Sequence, residues 1–207
     1  ISVNDMRNHG FRVGTAGRVI DNVEVKIAPD GEILCKGPNV MLGYYKDEAL
    51  TNEVIVDGYF HTGDIGQIDK DGFLKITDRK KEMFKTSGGK YIAPQLLENA
   101  MKQCRFIGQI MVIGEGEKMP AALIQLNFDF VKEWAKIHNI DIGATDQEIV
   151  KNAKVIDRLK EEIDRLNQKF GNWEQIKQFE LTPDIWSVEG GHLTPTLKLK
   201  RKVILQN

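Results

Sequence analysis

The sequence has few features of a secreted or membrane protein. Its 2 cysteines, Cys35 and Cys104, lie in no CxxC pair, which argues against a zinc site and favours free thiols in a reducing compartment. No apolar run approaches the roughly 18 residues that a membrane-spanning helix needs. The pattern of a secretory signal peptide is not found at the start of the sequence. We therefore expect a cytoplasmic location, and peripheral contact with the inner membrane face stays open.

An excess of charge of either sign is also missing. The formal net charge is −1, with 29 Lys and Arg against 30 Asp and Glu, so a globally basic nucleic-acid binder is disfavoured. A chain of 207 residues that is 41% hydrophobic can form one large or two small globular domains with real cores. Because the first residue is Ile1 and not Met, we expect a piece of a longer protein.

The first third of the sequence is typical of strands joined by tight turns. From 14 to 77 it alternates apolar and polar residues, which predicts a β-rich segment. Asp-Gly pairs provide the positive φ angles of hairpin turns, and they stand at Asp30-Gly31, Asp57-Gly58 and Asp71-Gly72. One short helix is predicted at Asp47 to Val54.

After Arg79 the pattern changes to that of an α+β unit. Helices are predicted after Pro94, over "FDFVKEWAKIH" and, as one amphipathic run, over Gln147 to Phe170. Strands are predicted at "FIGQIMVIG", at "PAALIQLN" and near Ile176 to Leu181, giving a three-stranded sheet with helices. The change at Asp78-Arg79 is the predicted domain boundary.

Three short motifs are weak evidence when each is taken alone. "DKDGFLKITD" has the acidic spacing of a calcium loop, but cations stand where its closing carboxylate should be, which favours a plain hairpin. "TSGGKYIAP" lacks the spacing of a nucleotide-binding P-loop, although its glycines permit close approach to a ligand. The histidines His61 and His192 lack partners at a spacing typical of a general base.

The basic run "LKLKRK" near the end is most often a solvated strand or tail. Its alternation predicts a structured segment in which Leu197 and Leu199 face one way and Lys198 and Lys200 the other.

Order and spacing make these motifs specific. "GEILCKGPNVMLGYYKDEALT", "GYFHTGDIGQIDKDGFLKITDRKKEMFKTSGGKYIAPQLLE" and "GGHLTPTLKLKR" together resemble the AMP-forming acyl-CoA synthetases of the adenylate-forming family. The likeness runs from about Val13 to Arg201. The ending "LTPTLKLKR" resembles the long-chain fatty acid branch, since other branches more often have Ser-Gly-Lys or Thr-Gly-Lys where this chain has Thr196-Leu197-Lys198.

The resemblance implies a two-step ligase. A fatty carboxylate attacks the α-phosphate of ATP to form acyl-AMP and pyrophosphate, and coenzyme A then takes the acyl group. It assigns Asp64 to the ribose hydroxyls, Arg79 to the ribose and phosphate region, and Lys198 to catalysis of adenylation. The loop predicted to line the coenzyme A tunnel comprises Ser87, Gly88, Gly89 and Lys90.

The resemblance also divides the chain. It assigns 1–77 to the β-rich tail of a large N-terminal domain, Asp78 to a hinge, and 79–207 to a mobile small C-terminal domain. Lys85 and Glu98 receive structural or hinge-side roles, and Arg201 is expected to be structural.

The glycine-rich phosphate loop and the glutamate that binds Mg²⁺ are expected upstream of Ile1, together with the fatty-acid tunnel. The isolated chain is therefore expected to be inactive, and no metal ligand is predicted within it. Two alternatives stay open. One is another adenylate-forming ligase, acting on short-chain or aryl acids or loading a carrier protein. The other is a non-enzymatic module that binds anionic ligands through its basic run.

Overall fold

The computed structural model describes residues 1–7 and 9–206. It divides into two compact units, residues 1–83 and residues 84–207. The predicted boundary at Asp78-Arg79 lies within a strand of the first unit, a few residues before this division. The assignment of residues 1–77, 78 and 79–207 to separate functional domains stays a prediction.

The first unit is an antiparallel sheet with one helix in its described residues. The strand order is β1-β2-β7-β6-β4-β3, and β5 pairs with β6. The elements are β1 (Ser2–Val3), β2 (Gly17–Val19), β3 (Glu24–Ile27), β4 (Glu32–Lys36), α1 (Glu48–Val54), β5 (Ile55–Val56), β6 (Tyr59–Ile68) and β7 (Phe73–Arg79).

The Asp-Gly turns predicted from the sequence are confirmed. β3 pairs with β4, β5 with β6, and β6 with β7, each pair antiparallel and joined at one of these turns. At the β6–β7 turn the Asp69 carboxylate accepts from the backbone N–H groups of Asp71 and Phe73. Arg12 forms ion pairs with both Asp69 and Asp71. A plain hairpin therefore explains these carboxylates.

The second unit begins with a short hairpin, β8 (Phe84–Lys85) and β9 (Tyr91–Ile92). Its main sheet has the order β10-β11-β12, where β10 pairs antiparallel and β12 parallel with β11. The remaining elements and strand bounds are α2 (Pro94–Met101), β10 (Ile107–Ile113), β11 (Ala121–Leu126), α3 (Phe128–Ile137), α4 (Asp146–Ile149), α5 (Ala153–Asn167), β12 (Gln178–Thr182) and α6 (Arg201–Ile204). The predicted α+β class with a three-stranded sheet is confirmed for this unit.

The single amphipathic helix predicted over Gln147 to Phe170 is wrong. The segment forms α4 and then α5, because the side chain of Asn152 accepts hydrogen bonds from the N–H groups of Lys154 and Val155 and starts a new helix. A capping box of Thr145 and Glu148 starts α4. The third strand is also displaced: it begins at Gln178, after the buried Ile176.

The core of the second unit is one cluster of buried side chains from α2, α3, α5 and the main sheet. Fully buried members include Leu97, Ile110, Ile124, Leu159 and Ile163. A smaller cluster of Met111, Trp186 and Ile204 lies under the C-terminal segment, and Leu199 packs against it. Within the part of the chain that the structure describes, no helix is long and apolar enough to cross a membrane.

A buried ion pair joins the C-terminal helix to this core. Glu98 on α2 is 5% exposed, and its Oε1 accepts from Arg201 at 2.5 Å and from the Val112 N–H at 2.7 Å. Arg201 also donates to the Val112 carbonyl at 3.0 Å. Burial raises the pKa of Glu98, although the charge of Arg201 opposes this rise. The structural roles expected for Glu98 and Arg201 are confirmed.

We predict that Arg201→Met destabilises the chain by about 3–5 kcal/mol, because it leaves the Glu98 carboxylate buried without its cation. Urea unfolding of the wild-type chain and the variant measures the change. The matched control is Arg165→Met, which removes a cation that is 61% exposed from Glu162; it should cost less than about 1 kcal/mol, because Glu162 keeps its ion pair with Arg158. Equal losses in the two variants would contradict the account.

Candidate functional site

Asp64 and Arg79 are brought together by the pairing of β6 with β7. The two residues stand opposite each other in the ladder, and Arg79 Nε lies 2.7 Å from Asp64 Oδ1. Their side chains are 21% and 54% exposed, respectively, so a ligand can reach both. A carboxylate beside a guanidinium offers acceptors for a diol and donors for a phosphate.

The backbone around Asp64 is held by its neighbours. Gly63 has a φ of +70°, a conformation that glycine adopts without steric cost. The Thr62 hydroxyl donates to the Ile33 carbonyl at 2.7 Å and accepts from the Asp64 N–H at 3.1 Å. The Gly63 carbonyl accepts from the Lys80 N–H at 2.8 Å. These bonds fix the place from which the carboxylate projects.

Asp78 is the buried neighbour of this pair. It is 1% exposed, stands opposite Ile65, and its Oδ1 accepts from the Arg79 N–H at 2.6 Å. The structure therefore places Asp78 inside strand β7 and next to the exposed Arg79. Its role as a hinge stays a prediction.

The sequence did not reveal Glu32, which lies on β4, the strand paired with β6 on the side away from β7. Its side chain is 4% exposed, and Lys80 Nζ lies 2.8 Å and His61 Nδ1 3.0 Å from its Oε2. Burial by itself would raise the pKa of Glu32, but hydrogen bonds from Lys80, His61 and the Gly63 N–H outweigh it and lower the pKa. Alternation along β4 gave no sign of this burial, because it puts Glu32 on the face of the exposed Lys36, opposite to the buried Ile33 and Cys35.

Lys198 lies on a tight turn of the second unit. Leu193 and Leu199 form an antiparallel bridge that closes the turn. The Thr194 N–H donates to the Lys198 carbonyl at 2.8 Å, and the Lys198 N–H donates to the Thr194 hydroxyl at 3.1 Å. The side chain of Lys198 is exposed. The turn therefore fixes the backbone and leaves the cation accessible.

The chain departs from the Ser/Thr-Gly-Lys pattern at Leu197, the residue before Lys198. Leu197 has a φ of +60°, in the left-handed region that glycine favours and that costs another residue about 1–2 kcal/mol. The turn keeps the backbone conformation that a glycine would favour. Leu197 is 62% exposed while Leu199 packs on the core, so the predicted shared orientation of the two leucines is wrong.

The predicted tunnel loop, Ser87 to Lys90, connects β8 and β9. The Thr86 N–H donates to the Lys90 carbonyl at 2.9 Å, and the Ser87 N–H donates to the Glu117 carbonyl at 2.8 Å. A Cβ at Gly89 would meet nothing within 4 Å, and one at Gly88 would meet only the Thr86 hydroxyl, at 3.9 Å. The backbone at both glycines is therefore open to close approach by a ligand.

A metal site is not formed by the described residues. Over 1–7 and 9–206, no group of three or more His, Cys, Asp or Glu side chains is placed to hold a metal ion.

The site residues predicted from the sequence fall into three places. One cluster around Asp64 lies in the first unit, and two loops, at Ser87 to Lys90 and at Lys198, lie in the second.

Comparisons with known proteins agree on one family. No family model matches the chain. The long-chain fatty acid–CoA ligase FadD15 of Mycobacterium tuberculosis is 35% identical over 196 residues, which are 95% of this chain and 33% of that protein. The long-chain acyl-CoA synthetase 2 of Arabidopsis thaliana is 34% identical over 212 residues, covering 94% of this chain and 32% of that protein.

A solved structure shows the same fold. The adenylation domain of a carboxylate reductase from Mycobacterium chelonae superimposes with a TM-score of 0.69 at 18% identity, over 94% of this chain and 32% of that one. This chain spans about a third of the length of the curated relatives it matches. Over nearly its whole length, the chain is homologous to a part of the long-chain fatty acid–CoA ligases and acyl-CoA synthetases, and it has the fold of the corresponding part of an adenylation domain.

Proposed function

We propose that this chain is the C-terminal part of a long-chain fatty acid–CoA ligase. The whole enzyme would join a fatty carboxylate to the α-phosphate of ATP, releasing pyrophosphate. The thiol of coenzyme A would then attack the acyl carbonyl of acyl-AMP, releasing AMP and leaving acyl-CoA. The names of the relatives in both bacteria and plants support the substrate class.

The pairing of Asp64 with Arg79 is the observation that supports this proposal most. A half-buried carboxylate offers two acceptor oxygens, which suits the two hydroxyls of a ribose. The Arg79 guanidinium lies 2.7 Å away and is more exposed, so it can donate to the ribose and phosphate region at the same time. The pair therefore suits an adenosine nucleotide.

Lys198 is proposed as the catalytic cation of the first step. Negative charge spreads over the phosphoryl oxygens as the carboxylate attacks, and an ammonium group stabilises that charge. An exposed lysine on a hydrogen-bonded turn can be presented to a substrate with little loss of backbone freedom.

The second step is proposed to use the loop from Ser87 to Lys90. The pantetheine arm of coenzyme A is slim and must reach the acyl carbonyl through a narrow passage. Backbone without side chains at Gly88 and Gly89 suits such an approach.

Magnesium and the triphosphate require residues outside this sequence. The described residues supply no cluster of carboxylates for Mg²⁺. The sequence also lacks the glycine-rich phosphate loop and the Tyr-Gly-x-Thr-Glu motif of the family. We therefore expect the missing N-terminal domain to hold the metal and the fatty acid.

The alternative of an anionic-ligand module requires interchangeable cations in the basic run. Arg201 is engaged with Glu98 and the Val112 carbonyl, whereas Lys198 and Lys200 are exposed. The run is therefore not a uniform basic surface, which favours one specific cation.

The first prediction concerns the isolated chain. We expect the 207-residue chain to show no fatty-acid-dependent exchange of pyrophosphate into ATP, because the phosphate loop and the metal ligand lie elsewhere. The whole protein should catalyse this exchange. Exchange by the isolated chain at the rate of the whole protein would disprove the proposal that residues outside this sequence hold the metal and the triphosphate.

The second prediction separates Lys198 from its neighbour. In the whole protein, Lys198→Ala should lower the rate of adenylation by about 100-fold or more, because the transition state loses a charge-stabilising donor. The release of acyl-CoA from supplied acyl-AMP should fall much less. Lys200→Ala is the matched control and should change either rate by less than about twofold. Equal losses at the two lysines would contradict the assignment of Lys198 as the one specific catalytic cation.

The third prediction concerns the substrate. The whole protein should form a thioester from palmitate and free coenzyme A, and short-chain or aryl acids should be poor substrates. Steady-state kcat/KM values for the three acid classes measure this preference. Higher values for short or aryl acids, or a requirement for a carrier-protein thiol, would identify another adenylate-forming ligase.

A further inference from the structure

Glu32 is a buried carboxylate at the junction of β4, β6 and the end of β7. Its side chain is 4% exposed. Its Oε1 accepts from the Gly63 N–H at 2.9 Å. Its Oε2 lies 2.8 Å from Lys80 Nζ and 3.0 Å from His61 Nδ1. A buried carboxylate is costly unless its oxygens are bonded, and here two donors from β6 and one from the residue after β7 satisfy both oxygens.

Two residues bound by Glu32 flank the candidate nucleotide pair: Gly63 through its backbone N–H and Lys80 through its side-chain Nζ. Gly63 immediately precedes Asp64, and Lys80 immediately follows Arg79. The Lys80 N–H also donates to the Gly63 carbonyl, so the carboxylate and this backbone bond close one network around the strand ends. Movement of β6 at Gly63 would therefore break a hydrogen bond to a buried carboxylate, and the ion pair with Lys80 ties the end of β7 to the same group.

We propose that Glu32 is a positioning residue for the nucleotide: it holds Gly63 and Lys80 so that Asp64 and Arg79 face the ribose together. Glu32 itself is not expected to touch the nucleotide, because its side chain is 4% exposed and both of its oxygens already accept hydrogen bonds. This inference rests on the proposed function and adds a residue to it. The carboxylate of Glu32, in the "GEILC" strand, would thus contribute to the affinity of the enzyme for ATP.

Asp30 provides a matched control on the same hairpin. Its Oδ2 lies 2.8 Å from the same Lys80 Nζ, the distance that Glu32 also has, but its side chain is 49% exposed. Its other carboxylate oxygen accepts from the Glu32 N–H at 3.1 Å. Asp30→Asn therefore weakens a surface ion pair of Lys80 and leaves the buried Glu32 carboxylate in place.

The test uses the whole protein and the exchange of pyrophosphate into ATP with palmitate present. Glu32→Gln should raise the KM for ATP about tenfold, the loss expected for a charge-assisted hydrogen bond, because an amide presents donors to Lys80 or His61. The kcat at saturating ATP should stay within about twofold, since no group at the reacting atoms changes. Asp30→Asn should leave both parameters within about twofold.

A structural role alone gives a different pattern. If Glu32→Gln only reduces the folded fraction, the apparent kcat falls and the KM for ATP stays unchanged. An unchanged KM for ATP therefore overturns the proposal, whether or not kcat falls. If Glu32→Gln does not fold, His61→Gln replaces it. That variant should raise the KM for ATP about threefold at unchanged kcat, and an unchanged KM overturns the proposal. An inactive wild-type protein contradicts the proposed function, and the inference falls with it.

Discussion

The register of β6 against β7 is the constraint on which the candidate nucleotide site depends. Asp64 stands opposite Arg79 because the ladder shifts between Ile65 and Gly66. A slip of one residue would turn every side chain of the strand to the opposite face. Gly66 makes this shift possible, since a Cβ there would lie 2.5 Å from the Lys75 carbonyl oxygen. An exposed ion pair stabilises a fold by only about 0–1 kcal/mol. The pairing of the strands therefore positions Asp64 and Arg79, and their ion pair contributes little to the pairing of the strands.

Both units use the same physical arrangement. A buried carboxylate holds the backbone, and an exposed charged residue close to it in sequence is left free to meet a ligand. In the first unit Glu32 binds Gly63 and Lys80 beside Asp64 and Arg79. In the second unit Glu98 binds Arg201, three residues after Lys198. The cost of burying each carboxylate is offset by its donors, and the result is a fixed position for the exposed side chain.

Much of the fold could be predicted from local sequence, because turns and helix caps depend on a few adjacent residues. The Asp-Gly hairpins and the helix after Pro94 follow from backbone preferences. The break before α5 was missed because the apolar spacing continues through it and one capping side chain, Asn152, interrupts the helix. The Glu32 network was missed because its donors lie 29 and 48 residues along the chain, at His61 and Lys80, and only the sheet brings them together. The residues of the candidate site were found from the order of motifs, which no single motif would have allowed.

The most direct test of the account is to map AMP onto the whole protein by the chemical shifts of its backbone amides. Saturating AMP should strongly shift the amide signals of Gly63, Asp64 and Lys80. Asp64→Asn should weaken AMP binding at least about tenfold, as loss of a charged acceptor of two hydroxyls would. Tight AMP binding that leaves these signals in place and is unaffected by Asp64→Asn would contradict the central claim that the β6–β7 register builds the nucleotide site.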